Sequence, residues 1–75
     1  MAEGMIRYTI DLSPATKRKL EELAAWAGST ESKVVREIIE QMHYVAAQVR
    51  AGGEATITRP GKATIALARV EVLFK

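Results

Sequence analysis

Met5-Ile6-Arg7-Tyr8-Thr9-Ile10-Asp11-Leu12 alternates without a break. Successive side chains of an extended chain point to opposite faces. Ile6, Tyr8, Ile10 and Leu12 therefore share one side, and Met5, Arg7, Thr9 and Asp11 share the other. The stretch reads as a strand from Met5 to Leu12, with Tyr8 on the core side. The next strand-like pattern begins only at Ala55. A strand without a neighbour leaves its N–H and C=O groups unpaired and is not stable alone. A second copy of the chain is the available partner. Two such strands side by side would make a two-stranded ribbon, apolar on one face and polar on the other.

Two helical patterns follow at once. Ser13-Pro14 is a helix start, because serine caps well and proline is tolerated at the first helical position. Leu20, Leu23, Ala24 and Ala27 recur at three- and four-residue steps. That predicts a helix from Pro14 to Ala27 with one apolar stripe, ended by Gly28 in a left-handed cap. Ser29 or Thr30 caps a second helix, expected over Glu31 to Arg50. Val35, Ile38, Met42, Val45 and Val49 form a heptad-like seam, widened by Val34, Ile39 and Ala46. So broad a stripe suits packing on a second subunit as well as on the first helix. Gly52-Gly53 breaks the helix.

The remaining residues change character. Ala55 to Thr58 and Ala63 to Ala66 flank Arg59-Pro60-Gly61-Lys62 and read as a hairpin, since Pro-Gly suits the centre of a type II turn. Leu67 to Phe74 reads as a further strand from its β-branched content, with Val70, Val72 and Phe74 on one face; a short helix over Ala63 to Val72 is the alternative. Trp26 lies off the first helix's stripe and needs a cover, for which this extension is the candidate.

The size and composition narrow the classes. With 75 residues, one domain is expected, and so small a core usually needs a staple. The chain has no cysteine and one histidine, His43. Disulfides and thiolate metal sites are excluded, and oligomerisation is left as the staple. A cytoplasmic location is expected from the absent cysteine, the missing signal pattern and the lack of a spanning apolar run. No nucleophile is paired with a base in a recognisable spacing, and there is no glycine-rich phosphate loop. The expectation is a protein that is not an enzyme and uses no cofactor or metal. The net charge of +2 permits a nucleic-acid partner without requiring one.

The order strand, Ser13-Pro14, helix, Gly28, a Ser/Thr-rich turn, then a helix beginning Val34-Val35-Arg36-Glu37-Ile38-Ile39 resembles the ribbon-helix-helix fold of Arc- and MetJ-type repressors. The resemblance covers residues 5–50. It implies an α+β intertwined homodimer whose N-terminal two-stranded antiparallel ribbon enters the major groove of DNA. Residues 1–4 would be a loose tail, 5–51 the DNA-binding domain, and 52–75 a hairpin-like extension made of strands. The resemblance makes Arg7, Thr9 and Asp11 the base-reading side chains, on the polar side that the alternation marks independently. Arginine can bond guanine twice, and threonine can touch a thymine methyl. Asp11 departs from the family pattern, in which a basic or amide residue or a threonine is usual. It can accept from cytosine, or restrain Arg7 or a residue of the partner strand. The family also grips phosphate at the start of its second helix, here Thr30, Ser32 and Lys33 beside Glu31. Lys17 and Arg18 are candidates for additional phosphate contacts.

The function expected from these residues is sequence-specific binding of double-stranded DNA by a homodimer, or a tetramer if the extensions join dimers, acting as a transcriptional repressor or autoregulator. Within the same class stand an antitoxin that holds a toxin through residues 52–75 and an accessory protein for plasmid partition or transfer. From another class stands a protein-interaction module that does not bind DNA. No membrane partner is expected.

Overall fold

Ser13 opens the first helix by accepting a hydrogen bond from the Thr16 amide at 3.2 Å, and Pro14 occupies the first turn. In the computed structural model, which describes residues 4–75, helix α1 runs over Pro14–Ala27. The Ser29 amide donates to the Ala24 carbonyl and the Gly28 amide to the Ala25 carbonyl, which is the crossed pair of a Schellman cap. That cap needs a left-handed residue, and Gly28 supplies it at φ 62°. Helix α2 covers Glu31–Arg50 and ends where the Gly53 amide turns back to the Gln48 carbonyl. The helices thus lie where their sequence punctuation put them. Of the expected tail at residues 1–4, only Gly4 falls among the described residues.

The strands do not lie where the opening alternation put them. Among the described residues the sheet is C-terminal: β1, Thr56–Ile57, pairs antiparallel with β2, Ile65–Ala66. Residues 5–13 carry no secondary structure. The ribbon-helix-helix architecture with an N-terminal ribbon is therefore corrected to a small α+β fold in which two helices come first and a two-stranded hairpin follows. The physical reason is that alternation sets which side chains share a face, whereas a strand exists only beside a ladder partner. The described residues supply none for this segment. Its apolar side is open to solvent: Ile6 is 87 % and Tyr8 85 % exposed, so Tyr8 is not a core residue. Trp26 is also exposed, at 77 %.

The chain divides between Val34 and Val35 into two compact units. In the first, Ala24 and Val34 are the buried apolar residues. In the second, α2 contributes Met42, Val45, Ala46 and Val49, all buried or half-buried, at the i, i+3, i+4, i+7 positions of one face. The hairpin expected after Ala55 is present, with Thr56 opposite Ala66 and Ile57 opposite Ile65. The Leu67 amide extends the pairing by donating to the Ala55 carbonyl at 2.7 Å.

Helix α3, Ala68–Phe74, replaces the strand expected from Leu67 onward. Leu67, Val70, Glu71 and Phe74 are the half-buried positions and repeat the i, i+3, i+4, i+7 spacing, while Val72 is 75 % exposed. A strand would have put Val70, Val72 and Phe74 together. Alanine, leucine, arginine and glutamate all favour helix, and two valines do not outweigh them. A helix also satisfies its own backbone, which a third strand on so short a hairpin could not do.

Candidate nucleic-acid interface

Arg7, Thr9 and Asp11 sit on the segment without secondary structure that precedes the Ser13 cap, and all three are exposed. The cap fixes where this segment leaves α1. The Thr16 hydroxyl adds a second contact, since the Ser13 hydroxyl donates to it at 3.0 Å. The segment therefore presents one arginine, one threonine and one carboxylate on alternate residues at the entry to a capped helix. Guanidinium and hydroxyl groups in that spacing can bond base edges or phosphate oxygens.

The second group of residues lies at the start of α2. Thr30 is the cap: its Oγ1 accepts from the Lys33 amide at 3.1 Å, and its carbonyl accepts from the Val34 amide at 3.0 Å. The Lys33 amide is therefore satisfied within the protein and is not part of an anion cradle. The Lys33 side chain remains exposed and can meet an anion as a point charge. Ser32 is exposed in the same turn.

The structure changes the role of Lys17. Its ammonium contacts Glu31 Oε1 at 2.8 Å and Glu21 Oε2 at 3.2 Å. The hydrogen bond to Glu31, then that to Glu21, raises the lysine pKa above its ordinary value. Lys17 is thus occupied by two carboxylates, and its charge offsets that of Glu31, two residues before Lys33. Glu21 stands four residues on along the same helix, a spacing at which oppositely charged side chains meet. Glu31 lies 14 residues away, and no local pattern announces the pair. Arg18, the other extra candidate, is exposed on α1.

Among the described residues no group of three or more His, Cys, Asp or Glu side chains is placed to hold a metal ion, and no helix is long and apolar enough to cross a membrane. Comparison with protein-family models, curated proteins and solved structures finds no match to this chain.

Proposed function

We propose that this chain is a sequence-specific binder of double-stranded DNA that acts as a homodimer, in the role of a transcriptional repressor or autoregulator. The observation that carries the reading is the alternation of residues 5–12 on a segment left in solvent. Arg7 and Thr9 are exposed and free to meet base edges, and Ile6, Tyr8 and Ile10 are exposed apolar side chains of a kind that a small protein does not leave uncovered in a cluster. The Ser13 cap, α1, the Gly28 terminus, the Thr30 cap and α2 follow in the order shared with Arc- and MetJ-type repressors, which supports the class although the N-terminal ribbon does not stand. Lys33 and Arg18 supply sequence-independent attraction to phosphate, and Arg7 and Thr9 supply discrimination.

A protein-interaction module that does not bind DNA is the second reading. It is favoured by the charge balance of residues 1–51, where seven basic residues meet seven acidic ones, and by the occupation of Lys17. Titration of binding to random and selected duplexes against salt separates the two. A DNA binder loses affinity steeply as salt rises and enriches a preferred sequence from a random pool. Absence of duplex binding at low salt would reject the first reading and leave the second.

A further inference from the structure

The whole net charge of the chain resides in its last 24 residues, Gly52 to Lys75, where four basic residues meet two acidic ones. Within that unit the charge is segregated again. From Ala55 to Val70 there are three cations, Arg59, Lys62 and Arg69, and no acid. Arg59 and Lys62 flank the hairpin turn. The Lys62 amide donates to the Arg59 carbonyl at 3.0 Å, with Pro60 and Gly61 between them and Gly61 at φ 72°. This is a type II turn, which proline pre-shapes and which needs a left-handed third residue. It holds the two cations at the ends of one four-residue turn, so their Cα atoms lie within about 7 Å. Below them the Thr58 and Thr64 hydroxyls pair across the loop at 3.0 Å. One hydroxyl donates to the other, so the acceptor's own proton remains available for an outside oxygen. Both cations are exposed, and among the described residues neither is in an ion pair.

We propose that the hairpin loop at residues 58–64 is a second DNA-gripping surface, in which Arg59 and Lys62 meet backbone phosphates and the threonine pair donates to a phosphate oxygen. The proposal rests on the DNA-binding reading and extends it to a part of the chain that the resemblance does not cover. Phosphate is the fitting partner because the loop offers cations and hydroxyl donors on a preformed turn, with no carboxylate to repel it. The surface reads no sequence: it adds affinity to every duplex alike.

The test uses the full chain with Arg59→Gln/Lys62→Gln, on a random-sequence duplex and on a selected one, with affinity followed against salt. Two phosphates at about 0.9 each predict a salt slope shallower by about 2 per chain, with the preference between the two duplexes kept. Arg59→Lys/Lys62→Arg should restore the parent slope. Arg50→Gln/Lys75→Gln removes the same charge elsewhere and should leave most of the slope in place. A parent-like slope in Arg59→Gln/Lys62→Gln, with steep binding otherwise intact, overturns the loop's role and spares the DNA reading. An equal fall in the Arg50/Lys75 variant also overturns it, because net charge alone would then account for the effect. If the parent binds no duplex, both readings fall together.

Discussion

The Lys17 ammonium lies 2.8 Å from the Glu31 carboxylate and links the first turn of α1 to the first turn of α2. The contact is solvent-exposed, so its gain in stability is small and falls with salt. Under the proposed DNA-binding reading its consequence for binding is larger. Lys17→Met should lower affinity for every duplex, because Glu31 is then unscreened beside Lys33. Lys17→Met/Glu31→Gln should recover the parent affinity. If the double variant stays weak, Lys17 touches phosphate directly and the screening account is wrong. The pH dependence has a definite sign. A lysine whose pKa is raised on folding contributes stability below its unfolded pKa, about 10.4, and loses it as pH rises through the folded value. A thermal scan series across the alkaline range should show a loss in the parent that is absent in Lys17→Met.

In the second unit the Ala55 amide donates to Glu71 Oε2 at 2.9 Å, across 16 residues. This bond holds the strand end to α3; Ala55 is buried and Glu71 half-buried, so water reaches the pair only in part. Glu71→Ala should cost about 1–3 kcal/mol, as expected when a buried donor is left unpaired. Glu71→Gln keeps an acceptor and should cost less. Denaturant unfolding gives the energies, and hydrogen exchange at Ala55 gives the locality: its protection should drop in Glu71→Ala. Equal stability of parent and Glu71→Ala would show that the bond contributes nothing.

Arg7→Ala should abolish preference for the selected duplex while leaving the thermal midpoint unchanged, because the side chain is exposed. The loss is about 1–3 kcal/mol per bidentate base contact. Lys33→Ala should weaken all duplexes alike and reduce the salt slope. Asp11→Asn should tighten binding overall and blur discrimination, since a charge that repels phosphate is removed while an amide can still bond adenine. Parent-like binding in both Arg7→Ala and Lys33→Ala would place the interface elsewhere.

The proposed homodimer predicts a midpoint that rises with protein concentration, because association stabilises only the folded chain. Ile6→Ser/Ile10→Ser should abolish that dependence and yield a monomer in sedimentation, since both are large apolar side chains left exposed. A concentration-independent midpoint in the parent, with monomer mass, would rule the homodimer out.

Ser13, Gly28 and Thr30 show what the sequence determined by itself. Each punctuates a helix through hydrogen bonds to residues three to five positions away, so the ends of α1 and α2 were legible in the sequence. Pro60-Gly61 did the same for the hairpin turn. The candidate site was legible in part: Arg7, Thr9 and Lys33 could be placed on exposed positions from periodicity, but the Lys33 amide and the Lys17 side chain could not be seen to be engaged. Tertiary structure alone decided the fate of Met5 to Leu12. Its alternation names two faces, and nothing local supplies the ladder that would make it a strand. The same holds for Leu67 to Phe74, whose valines and helix formers nearly balance. The helix matches the spacing of Leu67, Val70, Glu71 and Phe74 and carries the Glu71 carboxylate to the Ala55 amide. Lys17 with Glu31 and Ala55 with Glu71 are 14 and 16 residues apart. Contacts at that range depend on how the chain returns on itself, which no local periodicity encodes.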